Sequence, residues 1–180
     1  MRHLTRLLLL LVMLLALALP CSAAEMKLYT NEQHSFSLEI PAICDYYIPT
    51  FPTMPPAVMY ASSNSGYNID VVVFGPLEKA DGDDNALRGL GLVLRDHLRQ
   101  SGSSLLAEKL IILDNGQHAL LSSYTCPANG YGGGMNILGT TVQFWTNNRV
   151  YRLNYTMTNL DYDKYGDTVR ASYQSFRINK

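Results

Sequence analysis

Asp114-Asn115-Gly116 separates residues 108–113 from residues 117–125, and no other feature of this sequence limits the fold as sharply. Asn-Gly supplies the positive φ angles that a tight turn needs, so the two flanking apolar segments are expected to pair as an antiparallel hairpin. A second hairpin, residues 135–145 with 150–158, is expected to fold back across Asn147-Asn148. Earlier, Phe36, Leu38 and Ile40 alternate with Ser35, Ser37 and Glu39, the period of two of a half-buried strand, which pairs with residues 26–30 across a turn at 31–33. Residues 58–61 and 67–74 flank the turn signal Ser63-Asn64-Ser65-Gly66. The run Ile69, Val71, Val72, Val73, Phe74 is apolar on both faces and calls for cover on both sides.

Two segments carry the helical period instead. Leu87, Leu90, Leu94 and Leu98 recur on one face while Arg88, Arg95 and Arg99 share another, and Ser101-Gly102 ends the pattern. Near the C-terminus, Tyr162, Tyr165, Val169, Tyr173 and Phe176 fall on one helical face, with Asn159 or Asp161 placed to cap it. Residues 41–56 fit neither period. Pro41, Pro49, Pro52, Pro55 and Pro56 interrupt Tyr46, Tyr47, Ile48 and Phe51, which predicts an ordered aromatic loop. The order of hairpins, helix, two hairpins and helix predicts an α+β fold, a largely antiparallel sheet with helices packed on it. At 180 residues the chain is sized for one such domain.

The N-terminus gives an address. Arg2, His3 and Arg6 precede an apolar run over residues 7–19, and Pro20 then breaks it before Ser22, Ala23 and Ala24. This is the three-part plan of a secretory signal peptide, so residues 1–24 are read as signal and 25–180 as the exported domain. The apolar run falls short of the roughly 20 residues that span a bilayer, so contact with the membrane is expected only through the transient signal. Ala18 and Pro20 do not match a lipobox before Cys21, and the exported form is expected to be periplasmic or extracellular and free of lipid. Fourteen basic against 15 acidic residues leave no single-sign field for gripping phosphate backbones, which excludes nucleic acid as the expected partner.

In an oxidising compartment Cys44 and Cys126 can form one internal disulfide or remain two separate buried thiols, and the sequence leaves both open. No Cys or His cluster suits zinc. Asp81, Asp83 and Asn85 open with the spacing of a calcium loop, but Ala86 and Leu92 stand where its Gly and bidentate Glu belong. The acidic stretch suits the positive end of the helix that follows. Gly130-Tyr131-Gly132-Gly133-Gly134 leads into a strand and lacks the lysine and helix N-terminus of a phosphate cradle. Ser122 or Ser123 with His97 or His118 has no nucleophile-elbow context. The Asn154-Tyr155-Thr156 sequon lies inside an expected strand. The best binding candidates are Tyr46, Tyr47 and Phe51, aromatics on a proline-stiffened loop, with Tyr131 as a second edge if a Cys44–Cys126 bridge brings the two loops together.

Four local patterns resemble one superfamily: Ser35-Phe36-Ser37-Leu38-Glu39-Ile40-Pro41, Val71-Val72-Val73-Phe74 before a helix, Asn148-Arg149-Val150-Tyr151-Arg152-Leu153-Asn154-Tyr155, and Tyr173-Gln174-Ser175-Phe176-Arg177-Ile178. Together they look like the PsbP-like superfamily, which includes the extrinsic photosystem II protein, DcrB-type bacterial envelope proteins and a Ran-binding nuclear transport factor. The resemblance implies an α/β/α sandwich around an antiparallel sheet and a non-enzymatic role without cofactor. The expected function is that of an exported binding or accessory domain acting on an envelope or secreted protein, or on a lipid. A small extracytoplasmic hydrolase and a metal-binding module are the alternatives.

Overall fold

The computed structural model describes residues 24–47, 57–64, 66–127, 136–159 and 161–179, with only the backbone of Tyr47. The expected signal segment before Ala24, Cys21, Phe51 and Tyr131 lie outside these residues. In chain order the elements are β1 (Met26–Asn31), β2 (Phe36–Pro41), β3 (Asp45–Tyr47), β4 (Ala57–Ser62), β5 (Asn68–Phe74), α1 (Asp84–Gln100), β6 (Ser104–Ile112), β7 (His118–Pro127), β8 (Asn136–Thr146), β9 (Arg149–Thr158), α2 (Tyr162–Gln174) and β10 (Arg177–Ile178).

The strands form a seven-stranded sheet in the order β3-β4-β5-β9-β8-β7-β6 and a three-stranded sheet in the order β1-β2-β10. Every pairing is antiparallel. The turns fall where the sequence asks for them: between β6 and β7 Gly116, and not Asn115, takes a positive φ, 82°, and between β8 and β9 Asn147 and Asn148 take 50° and 53°. On one face of the large sheet, Ile69, Val71, Val142, Leu153 and Tyr155 pack against α2 and the small sheet. Phe176 joins these layers. Its ring is fully buried and lies 5.6 Å from Phe36, 4.4 Å from Phe144 and 5.5 Å from Tyr151.

Helix α1 covers the other face, turning Leu87, Gly91, Leu94 and Leu98 inward. Asp83 starts it, its carboxylate accepting the Ala86 N–H at 2.8 Å, so the acidic stretch caps a helix. Gly91 lets the helix lie close to the sheet, because a Cβ there would come 2.8 Å from both Glu108 Oε2 and Leu120 Cδ2. The cap expected of Asp161 is not made; α2 begins there without a side-chain bond, and the carboxylate accepts from Thr158 Oγ1 instead.

Two further expectations are corrected. The stretch read as an aromatic loop contains a strand, since the backbones of Asp45, Tyr46 and Tyr47 pair with Ser62, Ala61 and Tyr60. The disulfide is absent: Cys44 and Cys126 are both free. Cys44 is buried in the main core beside β3, whereas Cys126 sits on β7 against Leu94, Leu98 and Tyr124 on the α1 side. Strands β4, β5, β9 and β8 stand between β3 and β7. Five interstrand steps of about 4.8 Å put the two thiols roughly three times too far apart for a bridge. The strands that bound the two loops also diverge. β3 ends level with Asn154, heading towards Val150, while β7 ends beyond the level of Thr158.

Candidate functional site

Helix α1 lies mainly over β6, β7 and β8. Among the described residues no helix covers the same face of β4, β5 and β9, and a groove of about 530 Å³ runs between them and the flank of α1. Val72, Leu94 and Leu98 give it apolar walls, and Asp70, Arg152 and Asn154 give it a polar floor. His97, Tyr60, Tyr124 and Cys126 complete the sides. Among the described residues, the site is the strip of sheet that α1 does not reach across.

The floor is part of a polar row that strand register builds across the sheet. Asp70 pairs with Asn154, Asn154 with Thr141, Thr141 with Ser122 and Ser122 with Glu108. Side chains bond along it: Thr141 Oγ1 donates to Asn154 Oδ1 at 2.9 Å, and Asn154 Nδ2 donates to Asp70 Oδ2 at 2.6 Å. Ser122 Oγ donates to Glu108 Oε2 at 3.3 Å, and Glu108 is also ion-paired with Arg95 of α1. Tyr124 reaches Thr141 with its hydroxyl, and its ring lies across Gly139, where any Cβ would collide with it. Burial raises the Tyr124 pKa, so the phenol stays protonated.

Arg152 occupies the neighbouring row. Its Nε donates to Gln143 Oε1 at 3.1 Å and its guanidinium stands 5.0 Å from the Phe74 ring centroid. Among the described residues it belongs to no ion pair, the four present being Lys79–Asp83, Arg95–Glu108, Arg99–Asp96 and His118–Asp84. Burial lowers the Arg152 pKa, countered by Asp70 and Tyr124, and burial raises that of Asp70 against the Asn154 bond and the field of Arg152. Each charge is thus desolvated more than its neighbours repay.

The residues expected to bind are dispersed. Tyr46 is half exposed at the β3 edge, edge-on to Tyr29 at 4.9 Å and below Lys27 Nζ at 5.5 Å. Tyr47 is placed only by its backbone pairing with Tyr60. No serine–histidine pair assembles among the described residues: His118 Nδ1 lies 2.9 Å from Asp84 Oδ1, and Ser122 is bonded to Glu108. Nor do three His, Cys, Asp or Glu side chains converge among them as metal ligands. Sequence reading passed over Asp70, Thr141, Gln143 and Arg152. The available signal was the run of polar residues at alternate positions of three strands that the hairpins place side by side.

No family model and no curated protein matches this chain. Solved structures do. The cyanobacterial PsbP protein CyanoP from Synechocystis sp. PCC 6803 superposes with a TM-score of 0.65 at 10% identity, over 86% of this chain and 93% of that one. The fold is PsbP-like. Two other structures sharing it are a mutant of the protein Mog1 (TM-score 0.53, 10% identity, 86% and 96% covered) and a protein from Bacteroides thetaiotaomicron VPI-5482 (TM-score 0.54, 10% identity, 86% and 48% covered). On this PsbP-like frame the groove lies on the α1 side of the sheet, away from the face packed against α2 and the small sheet.

Proposed function

We propose that this protein is an exported, non-catalytic accessory domain that works by binding an envelope component in the groove beside α1. The observation that carries this reading is the polar floor of Asp70, Asn154 and Arg152 set between apolar walls. A groove in the range of about 300–1,000 Å³ with a few convergent polar groups is the common form of a ligand site. The signal-like N-terminus supports export to the periplasm or beyond as a soluble, unlipidated form.

Cys126 offers a direct test, because its thiol lines the groove. Binding of an envelope extract is compared for the unmodified protein, for protein alkylated at Cys126 with a bulky maleimide, and for Tyr46→Ala, each checked by circular dichroism. Loss of binding on alkylation with retention in Tyr46→Ala is expected. The reverse pattern returns the contact to the β3 edge and overturns the groove.

A further inference from the structure

Two opposite charges share the floor of the groove without meeting. In register, Val72 stands opposite Arg152, with the Asp70–Asn154 pair one row to one side and Phe74 one row to the other. Successive rows on one face of a strand are about 7 Å apart. Arg152 leans to the Phe74 side: its Nε donates to Gln143 Oε1 and its guanidinium stands 5.0 Å from the Phe74 ring centroid. Asp70 Oδ2 accepts from Asn154 Nδ2. Each charge is thus tied to a neutral amide, and among the described residues neither enters an ion pair. Asp70 Oδ1 and the two terminal guanidinium nitrogens of Arg152 are left for a ligand.

That arrangement is complementary to a ligand carrying both charges. An ammonium on Asp70 and a carboxylate on Arg152 each make charge-assisted hydrogen bonds, about twice as strong as those of neutral groups. A ligand with one charge leaves the opposite charge of the floor desolvated and unmatched. Val72 lies between the two charged ends, beneath the carbon that would join an ammonium to a carboxylate, and Leu94 and Leu98 of α1 form the wall beside it. The apolar part is short. His97 and Ser101 at its edge are exposed, and Ser103 and Thr156 continue the polar lining, which suits one amino-acid side chain and not the acyl chains of an aminophospholipid. We infer that the groove binds an apolar α-amino acid as its zwitterion, the ammonium on Asp70, the carboxylate on Arg152 and the side chain against Leu94 and Leu98. This inference rests on the groove being the binding site, and it names the class of the component bound there.

Isothermal titration calorimetry tests it with L-leucine, L-methionine and L-phenylalanine. Isocaproate, which is leucine without its ammonium, isoamylamine, which is leucine without its carboxylate, and monomeric dihexanoylphosphatidylethanolamine are run beside them. L-leucine should bind at least about ten-fold more tightly than either singly charged analogue, the factor expected for one hydrogen bond between charged groups. Asp70→Asn should bring L-leucine towards the affinity of isocaproate, and Arg152→Gln towards that of isoamylamine. Asp70→Asn carries the test alone if Arg152→Gln does not melt cooperatively. Equal affinity for L-leucine and either analogue overturns the inference, as does undiminished L-leucine binding in Asp70→Asn. So does the absence of saturable heat with all three amino acids at two temperatures, or tighter binding of the lipid. Each of these results leaves the groove as a site; its own failure shows separately, as undiminished envelope binding after Cys126 is blocked.

Discussion

The hydroxyl of Tyr67 and the side-chain nitrogen of Gln143 are buried without a hydrogen-bond partner among the described residues. An unsatisfied buried polar group costs about 1–3 kcal/mol, so Tyr67→Phe is expected to raise stability by about 1 kcal/mol, read as a higher urea midpoint at unchanged slope. Asp70 carries a related cost. Its carboxyl pKa is raised in the folded state, chiefly by burial, so the native protein holds that proton more firmly than the unfolded chain and the charged form weighs against folding. Asp70→Asn should therefore melt higher than wild type at pH 7. The gain should shrink as pH falls through the raised pKa and vanish below the unfolded value of about 3.9, where both chains are neutral at this position. A gain that persists at pH 3 would contradict this account. Cysteine reactivity follows from burial as well: Cys44 is pushed up to about 11 and enclosed in the core. Native protein at pH 8 should be alkylated at Cys126 and not at Cys44, whereas a bridged pair would be alkylated at neither.

At the scale of elements, turn chemistry and helical period made most of the architecture legible. Asn115-Gly116 and Asn147-Asn148 lie in the turns of the β6–β7 and β8–β9 hairpins, and the leucine spacing locates α1 to within about three residues at its start. Strand β3 was hidden because three residues carry too little periodicity to stand out in a proline-rich stretch. The polar row was hidden for another reason. Period two assigns Asp70, Asn154 and Thr141 to a face, but that face is wet, covered or grooved according to how far a helix from elsewhere in the chain extends across it. Gly139 shows how tightly the groove wall is fitted. Gly139→Ala should displace the Tyr124 ring and destabilise by about 1–3 kcal/mol, with Cys126 alkylation changing as the wall shifts. An unchanged melting temperature would mean that the ring moves freely.

Across the molecule, the large sheet, the small sheet and α2 share one core, and Phe176 is common to all three interfaces. Phe176→Ala should cost about 3–5 kcal/mol, enough to leave a marginal domain largely unfolded at 37 °C. A loss below 1 kcal/mol, measured by denaturant unfolding, would show that the cavity collapses without separating the layers.

The small sheet also sets an order of events. Its strands β1 and β2 stand at the beginning of the domain and its third, β10, at the very end, where Arg177 and Ile178 pair with Ser37 and Phe36. A chain emerging N-terminus first, from a ribosome or through a membrane pore, displays its first two strands long before the residues that lock them arrive. The ring that ties the sheets together is among the last to appear. Until then Phe36, Leu38 and Ile40 have no complete core to enter, so closure waits for β10, and any truncation that removes β10 acts on the first strands of the domain.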